Sequence, residues 1–369
     1  MTKWDVVVIG AAQAGCAAAW DLAAAGQRVL VLSRPAEQGK PCAGGVTAKA
    51  LNRYRFSIAP VVREVVSTLW VGRFPSDSQA LQAASPFCVM TERAELDAFC
   101  RQQAQEQGAH FAETRGIQSL HQNGSSITLT TREGDCFQAS ALIAADGAHS
   151  PVRKLLGERR YAGAVAIEGC VPRDQLSRYP GMTLDFAAIK GGYGWLFPKG
   201  DHVNVGLYVW RQGIASPGRE QLDRYSRQQL GASPLGVQGY PLGTWLPHAR
   251  LCQGRILFAG DAAGSTEALL GEGIYGAVLS GQLAAQAILA GQLASYPQWL
   301  AGWREEMATV EQLARLFYPL MPLSTRILQR NMGRPWWTGL PGGLPWGNAS
   351  AAGAARQSSG DKALPCCSR

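Results

Sequence analysis

Residues 255–277 read RILFAGDAAGSTEALLGEGIYGA. The apolar run Ile256–Ala259 predicts a short buried strand, which ends in a loop that carries Asp261. A long Ala/Leu/Gly-rich helical pattern then opens at Gly271 and Gly273. The stretch therefore places a hydrogen-bond acceptor beside a helix N-terminus, whose unpaired N–H groups favour negative charge. It predicts either a site for a hydroxylated anionic ligand or a strand–turn–helix unit packed for structure alone.

The chain begins with a strand–turn–helix–strand pattern. An apolar strand over residues 5–10 leads into a glycine-bounded turn, a helix over residues 16–26 and a second strand over residues 28–32. In this context the turn matches the fingerprint of a dinucleotide-binding βαβ unit, in which the helix N-terminus holds the pyrophosphate. We therefore expect the cofactor to contact Gly10, Ala12, Gln13, Ala14 and Gly15.

Two positions depart from that fingerprint. Ala12 stands in place of the middle glycine and crowds the backbone where a phosphate approaches. Ser33, followed by Arg34, stands where an acidic residue usually binds a ribose hydroxyl. In a nicotinamide enzyme this Ser-Arg pair would indicate a 2′-phosphate and therefore NADP. We include Ser33 and Arg34 among the expected cofactor contacts.

Length and composition limit the class of protein. The chain has 369 residues, of which 46% are hydrophobic and 17% charged, so we expect a globular protein of two domains. The apolar runs are too short for a transmembrane helix, and the first residues lead directly into a strand, so we expect no signal peptide. A net charge of +8 favours contact with anionic surfaces or substrates. No segment resembles a nucleic-acid-binding module, so we expect no nucleic-acid partner.

Cysteine and histidine usage narrows the chemistry. The nine cysteines are scattered and form no CxxC pair, which is typical of buried thiols in a reducing cytosol. The five histidines are dispersed as well, which argues against a metal centre or a hydrolase. We therefore expect a cytoplasmic protein without a bound metal.

Two isolated residues each allow two interpretations. Cys42 lies in the loop Lys40–Gly45, whose glycines permit close approach to a ligand. It is either an inert thiol or a functional group beside the ligand. Arg93 begins a helical pattern, where its charge opposes the helix dipole. It is either a surface residue or the partner of a ligand or carboxylate.

A third strand end lies in the middle of the chain. Residues 110–145 alternate like the strands of a meander, and the last strand runs into Asp146 and Gly147. The carboxyl ends of the strands form the ligand crevice in an open parallel sheet. We therefore expect Gly10, Asp146 and Asp261 to surround one nucleotide cofactor.

The three segments together resemble the FAD-binding fold of the aromatic-hydroxylase type. The signatures of that fold, GxGxxG, DGxxSxVR and GDAA, correspond here to Gly10–Gly15 (with Ala12), Asp146–Arg153 and Gly260–Ala263. Within that superfamily the chain most resembles the geranylgeranyl reductase family, over roughly residues 4–325. This resemblance rests on Lys40–Gly45, Tyr193–Lys199 and Gly271–Tyr275.

The resemblance implies FAD as the cofactor. FAD also suits the sequence better than directly bound NADP, because Asp146 and Asp261 have no role in a plain NADP unit. By analogy with the family, Cys42 lies near the flavin and affects turnover, and we name it as the catalytic candidate. Lys190 and Ala43 depart from the family pattern, where proline and glycine stand. The further cofactor contacts that we expect are Arg93, Asp146, Gly147, Gly260, Asp261, Gly271 and Gly273.

The predicted fold is α/β, with a Rossmann-like FAD-binding domain, an inserted antiparallel β-sheet substrate domain and a C-terminal helical region. The expected domain bounds are 1–55, 88–150 and 250–295 for the discontinuous FAD-binding domain, 56–87 and 151–249 for the substrate domain, 296–340 for a helical cap and 341–369 for a disordered tail.

An aromatic segment stands out within the predicted substrate domain. Its expected strands cover residues 164–171, 182–189, 193–197 and 203–209. Tyr193, Trp195 and Phe197 alternate with period 2 and therefore point to one face. That face is either part of the core or the aromatic wall of a long apolar pocket over the flavin. Such a wall suits a hydrophobic substrate and can hold a developing carbocation by cation–π attraction.

The C-terminal pattern also leaves two interpretations open. From residue 296 to about residue 334 a helical pattern mixes aromatic residues with arginines. It predicts either a helical cap with a solvated face or an interfacial surface that contacts a membrane peripherally. The residues that carry this pattern are Trp299, Trp303, Arg304, Arg315, Phe317, Arg326, Arg330, Trp336 and Trp337.

Three functions are compatible with these patterns. The first, implied by the family resemblance, is an FAD-dependent oxidoreductase that reduces C=C bonds of a prenyl (geranylgeranyl-type) chain, with NADPH or ferredoxin as electron donor. The second is an FAD-dependent monooxygenase or hydroxylase of the same fold. The third is a non-catalytic flavoprotein that binds a prenyl group. The first hypothesis implies a hydrophobic small-molecule or lipid substrate.

Overall fold

The computed structural model describes residues 2–35, 40–73, 76–158, 163–210, 217–244 and 249–331. The part of the predicted cap beyond residue 331, with Trp336 and Trp337, and the predicted tail 341–369 lie outside the described residues. Within the described ranges, every helix is too short or too polar to span a bilayer.

Strands and helices are interspersed up to residue 258, and the elements from residue 274 onward are helical. The strands are β1 Thr2–Ile9, β2 Val29–Ser33, β3 Gly45–Thr47, β4 Val62–Val66, β5 Thr68–Arg73, β6 Asp77–Gln82, β7 Cys88–Thr91, β8 His110–Glu113, β9 Ile117–Gln122, β10 Ile127–Thr131, β11 Cys136–Ala144, β12 Ala164–Pro172, β13 Met182–Asp185, β14 Gly192–Pro198, β15 His202–Trp210, β16 Leu235–Leu242, β17 Cys252–Gln253 and β18 Ile256–Phe258. The α-helices are α1 Gln13–Ala24, α2 Ala48–Leu51, α3 Arg93–Glu106, α4 Pro151–Leu155, α5 Arg219–Leu230, α6 Ile274–Leu289, α7 Tyr296–Trp299, α8 Ala301–Phe317 and α9 Met321–Asn331.

The first sheet is built on parallel strands in the order β18-β11-β1-β2-β8. β17 pairs antiparallel with β18, and β10 joins β11 to β9 by antiparallel pairing. All five residues of β2 are buried, as are Val6, Val7 and Val8 of β1. Continuous apolar runs of this kind are typical of parallel strands that are covered on both faces.

Helix α1 packs against both α3 and α6 beside this sheet. The approach to α6 depends on Gly281, because a Cβ atom there would lie 2.2 Å from the carbonyl oxygen of Ala14. The approach to the β1 turn depends on Gly15 in the same way, since its Cβ would lie 1.8 Å from the carbonyl oxygen of Gly10. These glycines bring the N-terminus of α1 close to the strand ends.

The second sheet has the order β16-β12-β15-β14-β13-β5-β6 and is antiparallel except for the β13–β5 pair. One face packs on α5 through apolar residues such as Val205 and Leu222. The opposite face carries aromatic side chains and packs against α8, where Phe317 contacts Phe186 at a ring-centroid distance of 5.0 Å. A small third sheet, β3-β7-β4, lies in the same part of the chain as the cysteine loop.

The predicted fold class is confirmed, with a parallel sheet, an antiparallel sheet and C-terminal helices. The expected strand over residues 182–189 is too long, because β13 ends at Asp185. The Asp185 carboxylate accepts the N–H of Ala187 (2.9 Å), and this turn stops the strand. The helix expected to open at Gly271 begins at Ile274.

Candidate functional site

Strand order brings the three signature loops to one edge of the first sheet. β18, β11, β1 and β2 are consecutive neighbours and run parallel, so their carboxyl ends lie side by side. Backbone hydrogen bonds continue past the strands, from Ala145 N–H to Ile9 (2.8 Å) and from Ala259 N–H to Ala144 (2.9 Å). The loops that carry Gly10, Asp146 and Asp261 therefore meet, as the sequence predicts.

The first loop leaves the N-terminus of α1 without a protein cap. Ala12 is the N-cap residue, its backbone is extended (φ −88°, ψ −169°), and it supplies no side-chain hydrogen bond. The side chain of Gln13 is used elsewhere: its Nε2 donates to Asp97 (2.6 Å) and its Oε1 accepts from Tyr54 (2.6 Å). Ala14 and Gly15 are buried, so this loop offers backbone N–H groups rather than side chains to a phosphate.

Ser33 and Arg34 lie at the same edge, one strand further along. Ser33 ends β2, is buried, and accepts the N–H of Thr114 through its carbonyl (2.8 Å). Arg34 is exposed. An acidic ribose ligand is therefore replaced here by a hydroxyl and a solvent-facing guanidinium.

Arg93 is buried at the start of α3 and is not a surface residue. Its Nε donates to Asp97 (2.8 Å), one turn along the same helix. Burial lowers the pKa of Arg93, but Asp97 and the neighbouring Cys42 outweigh it, so the pKa lies above its usual value. The expected carboxylate partner of Arg93 is thus Asp97, which also fixes Gln13.

The second signature loop is held together from within. Asp146 Oδ2 accepts the N–H of Val152 (2.9 Å), and Ser150 Oγ accepts the N–H of Arg153 (3.1 Å) at the start of α4. The other carboxylate oxygen of Asp146 is buried and has no hydrogen-bond partner among the described residues. Burial raises the pKa of Asp146. Gly147, with φ +84°, has open space where a Cβ would stand.

Arg153 joins the second signature to the third, a role that sequence analysis missed. Its Nε donates to the carbonyl of Ala262 (2.6 Å), and its NH2 group donates to the carbonyl of Arg250 (2.7 Å). The guanidinium lies 3.9 Å from the ring centroid of Phe258 and pairs with Glu158. The sequence signal for this contact was the arginine that ends the DGxxSxVR signature.

The third signature is tied to the cysteine loop. Asp261 accepts from Lys40 Nζ (2.5 Å) and from Thr266 Oγ1 (2.8 Å). Burial raises the pKa of the Asp261 carboxyl, but Lys40, Thr266 and the N–H of Gly243 outweigh this and hold it below the usual value. Asp261 is therefore an ionised hydrogen-bond acceptor at neutral pH. Lys40 was identified only as the start of the cysteine loop.

The N-terminus of α6 is partly capped, which differs from the prediction of unpaired N–H groups. Glu272 accepts the N–H of Tyr275 (2.8 Å), and burial raises the pKa of Glu272 to about 7. Gly271 has φ +74°, and a Cβ there would lie 2.9 Å from the ring of Tyr208. At Gly273 a Cβ would lie 2.6 Å from Thr266 Oγ1. These two glycines are required by packing as well as by any ligand.

Cys42 lies half-buried beside α3 and β12. Gly44 has φ +78°, and its carbonyl accepts both the N–H and the hydroxyl of Thr91 (2.9 Å each). The Cys42 side chain interacts with Arg93, and its backbone N–H interacts with the Glu168 carboxyl on β12. The cysteine loop therefore bridges the FAD crevice and the antiparallel sheet.

Tyr193, Trp195 and Phe197 share one face of β14, as predicted from their spacing. Successive ring centroids are 6.1 Å apart, and the Tyr193 ring is 5.2 Å from that of Tyr208. All three side chains are buried, and Tyr193 donates to the carbonyl of Leu270 (2.5 Å), just before Gly271. The aromatic face is thus anchored to the loop that precedes α6.

The chain is similar to known proteins in sequence. A family model described as an FAD binding domain matches residues 3–172. An uncharacterised protein of Methanosarcina barkeri is 32% identical over 78% of this chain and 75% of its own length. A menaquinone reductase of Mycobacterium tuberculosis is 30% identical over 80% of this chain and 79% of its own length. The chloroplastic geranylgeranyl diphosphate reductase of Oryza sativa is 30% identical over 78% of this chain, but the match spans only 66% of the rice protein.

The chain belongs to the geranylgeranyl reductase family of FAD-dependent oxidoreductases.

Solved structures agree with this family at the level of fold. A geranylgeranyl bacteriochlorophyll reductase-like protein from Thermoplasma acidophilum superimposes with a TM-score of 0.75 at 21% identity, covering 90% of this chain and 91% of that one. A p-nitrophenol 4-monooxygenase from Pseudomonas putida gives a TM-score of 0.72 at 17% identity, covering 90% of this chain and 95% of that one. The fold is thus shared by reductases and oxygenases, and it does not choose between them.

The residues of this reductase-family site fit FAD. The uncapped α1 N-terminus offers N–H groups to a pyrophosphate, and the buried, unpartnered Asp146 oxygen and the ionised Asp261 carboxylate offer acceptors for hydroxyl groups. FAD is accordingly the cofactor, and the protein is an FAD-dependent oxidoreductase. Within the described residues no cluster of His, Cys, Asp and Glu could hold a metal ion.

Proposed function

We propose that the protein reduces C=C bonds in the prenyl chain of a geranylgeranyl-type substrate. The observation that carries the proposal is the aromatic face of β14, which Tyr193 links through Leu270 to the loop before Gly271. An apolar aromatic surface beside the loop that leads to Gly271 supports a hydrophobic substrate next to the proposed FAD site. Relatives named geranylgeranyl diphosphate reductase support the same substrate class.

FAD, the aromatic residues and Cys42 have separate roles in the proposed reaction. Reduced FAD supplies a hydride to one alkene carbon. The aromatic residues bind the hydrocarbon, exclude water and present electron-rich faces to positive charge that develops on the chain. Cys42 lies where the crevice and the aromatic face meet, and we propose that it contacts the reacting region. The substrate contacts that we propose are Tyr193, Trp195 and Phe197.

The cofactor contacts remain those expected from the sequence. The signature loops lie at one sheet edge, which supports the contacts on those loops as neighbours of FAD. The backbone of the α1 turn is proposed to hold the pyrophosphate, and the carboxylates to bind hydroxyl groups. The proposed contacts are Gly10, Ala12, Gln13, Ala14, Gly15, Ser33, Arg34, Arg93, Asp146, Gly147, Gly260, Asp261, Gly271 and Gly273.

Product analysis tests the proposed reaction. The flavin-loaded protein, reduced anaerobically with dithionite, is incubated with geranylgeranyl diphosphate, and the products are analysed by mass spectrometry. A mass increase of two units for each bond reduced supports the proposal. Oxygen-dependent insertion of an oxygen atom would assign the protein to the monooxygenases instead. Tight prenyl binding without any turnover would indicate a non-catalytic flavoprotein.

The electron donor in this proposal is NADPH or ferredoxin. Anaerobic mixing of the oxidised protein with NADPH, or with reduced ferredoxin, distinguishes the two by bleaching of the flavin absorbance. If neither donor bleaches the flavin while dithionite does, both assignments are wrong.

We also propose that α8 and α9 contact a membrane surface. The aromatic residues expected at the interface, Trp303 and Phe317, are buried, so they cannot make that contact. Residues 312–331 instead contain three arginines and no acidic residue. They expose a stripe of large apolar side chains at spacings of three and four, with relative exposures of 41–67%: Leu313, Leu316, Leu320, Leu323 and Ile327. An apolar stripe with cationic flanks suits an anionic lipid surface.

Vesicle sedimentation tests this membrane contact. Leu316→Glu combined with Leu320→Glu is expected to abolish binding to vesicles that contain anionic phosphatidylglycerol. Leu235→Glu is the matched control, because Leu235 is equally exposed (54%) but lies on β16. Equal binding of both variants, or none by the unaltered protein, would contradict the proposal.

We also propose the division into domains that the sequence predicts. We assign residues 1–55, 88–150 and 250–295 to FAD binding, 56–87 and 151–249 to the substrate, and 296–331 of the expected cap to the surface above the aromatic face. β5 pairs with β13, and β6 pairs with β5, which supports placing residues 68–82 with the antiparallel sheet.

A further inference from the structure

The aromatic face contains a carboxyl group, Glu168. Alternate residues of β12 point to this face, and Glu168 pairs in register with Gly206 of β15. The ring of Trp195 lies over Gly206, where a Cβ would come within 2.0 Å of it. Glu168 therefore stands beside Trp195, on the wall that is proposed to bind the prenyl chain. It is the only Asp or Glu at the face-directed positions of the described strands β12, β14, β15 and β16.

Glu168 is buried without an ion pair among the described residues. Its exposure is 7%, and its Oε2 accepts from the hydroxyl of Tyr240 (3.0 Å) on the neighbouring strand β16. Lys199, the cation that acts on Glu168, forms its ion pair with Glu92 (2.9 Å). A buried carboxyl group with this partner set differs from the carboxylates that form ion pairs at the surface, such as Asp223 with Arg227.

The charged and titratable groups around Glu168 act in both directions on its protonation. Burial raises the pKa of Glu168, and Glu92 adds to this, while Lys199, the Tyr240 hydroxyl and the N–H of Cys42 lower it. Burial prevails, so the pKa of the carboxyl lies above its usual value. The apolar wall therefore shifts the carboxyl group towards its protonated form.

Alkene reduction needs a proton as well as a hydride, and a substrate held against an apolar wall that excludes water needs a protein group to supply the proton. We propose that Glu168 holds the proton that is added to the alkene and that Tyr240 positions its carboxyl group. This inference rests on the proposed reduction of a prenyl chain. It names a proton source for that reaction from the groups that face the site.

In the proposed step Glu168 transfers its proton to the alkene. The O–H bond of Glu168 breaks, and the π electrons of the alkene form a C–H bond with the proton. The other alkene carbon becomes electron-deficient next to the faces of Tyr193 and Trp195, and reduced flavin supplies the hydride that completes it. The Glu168 carboxylate then regains a proton from solvent before the next turnover.

Glu168→Gln is the test variant, because glutamine keeps the acceptor for Tyr240 and for Cys42 N–H but carries no transferable proton. Glu64→Gln is the matched control: Glu64 accepts from Tyr179 (2.6 Å) in a similar Tyr–Glu pair away from the aromatic face. Single-turnover reduction of geranylgeranyl diphosphate is measured in each, together with FAD affinity. We expect Glu168→Gln to lower the rate by at least about 100-fold with unchanged FAD affinity, and Glu64→Gln to match the unaltered protein.

The pH profile and infrared spectrum separate proton transfer from a merely structural role. The rate of the unaltered protein is expected to fall as pH rises through the pKa of Glu168. Tyr240→Phe removes a hydrogen bond that lowers that pKa, so it shifts the falling limb to higher pH. In the flavin-free protein at neutral pH, a protonated-carboxyl C=O band is expected that Glu168→Gln removes and Glu64→Gln retains.

Two results overturn the inference while leaving the proposed function intact: reduction by Glu168→Gln at the normal rate, or a neutral-pH infrared spectrum that this substitution does not change. If the unaltered protein reduces no alkene, the proposed function itself fails and the role of Glu168 falls with it.

Discussion

Lys40 Nζ lies 2.5 Å from Asp261 Oδ2 and so joins two loops that are 221 residues apart in the sequence. Asp261 is almost completely buried, whereas Lys40 keeps about a third of its side chain in solvent (32%). The pair holds the cysteine loop against the third FAD signature. It also lowers the pKa of the Asp261 carboxyl group, which burial alone would raise.

Lys40→Met is therefore expected to weaken FAD binding about tenfold, which corresponds to about 1.4 kcal/mol. Without the ammonium, Asp261 binds a proton more readily and its loop loses a fixed partner. Fluorescence titration of the apoprotein with FAD measures the change. Arg28→Met is the matched control, because the Arg28–Asp5 pair (2.9 Å) lies before β2 and in the middle of β1, away from the carboxyl ends of both strands. Equal affinity of the two variants would remove Lys40 from the site.

Arg153 is expected to be essential for stability. Arg153→Met leaves two carbonyls and Glu158 without their buried donor, so we expect the free energy of unfolding to fall by about 3 kcal/mol. Urea denaturation followed by circular dichroism gives the value. Arg250 provides the comparison, because it reaches the same Glu158 from the surface at 3.5 Å; its Met variant should lose at most about 1 kcal/mol. Similar losses in both variants would show that the link to Ala262 is unimportant.

Two helical glycines are expected to respond in opposite directions to alanine. Gly281→Ala on α6 forces a methyl group to within 2.2 Å of the Ala14 carbonyl, and we expect a loss of about 2 kcal/mol and weaker FAD binding. Gly302→Ala on α8 meets no atom within 4 Å and should stabilise the protein by about 0.5 kcal/mol, because alanine favours the helix. Thermal unfolding of both variants tests the pair. A stable Gly281→Ala protein would mean that α1 and α6 can separate without cost.

The His202 ring is expected to make stability depend on pH in the alkaline range. A side-chain hydrogen bond with Cys170, followed by those with Glu92 and Asp201, raises the pKa of His202 from 6.5 to about 10. A raised pKa means that the contribution is complete below pH 6.5 and is lost as pH rises towards 10. The difference in unfolding free energy between the unaltered protein and His202→Gln should therefore shrink over that range. A constant difference from pH 6 to 10 would indicate an uncharged ring.

The sequence was sufficient to predict that the three signature loops meet at one sheet edge. Gly10, Asp146 and Asp261 each follow an apolar strand, and parallel strands bring their carboxyl ends to one edge. The period-2 spacing of Tyr193, Trp195 and Phe197 likewise predicts a shared face, because successive side chains of a strand point to opposite faces. These features are local in the chain.

The features that the sequence did not predict all depend on distant pairs. Nothing in the segment around Lys40 indicates Asp261 as its partner, and nothing in β12 indicates that Tyr240 of β16 reaches Glu168. Strand register and loop packing bring these groups together, and both are set by the whole fold. Glu272 stands in the expected helix start, but its role as a cap was not predicted. Its side chain accepts the N–H of Tyr275, and its own N–H is held by Glu267 in the preceding loop.

The central claim is tested most directly by the oxidation of the reduced flavin in the absence of oxygen. The protein is reduced with a stoichiometric amount of dithionite in an anaerobic stopped-flow instrument and mixed with geranylgeranyl diphosphate. Our account predicts that the oxidised flavin absorbance returns in step with a product that is two mass units heavier. A flavin that stays reduced with every prenyl substrate offered, and reoxidises only when air is admitted, would contradict it.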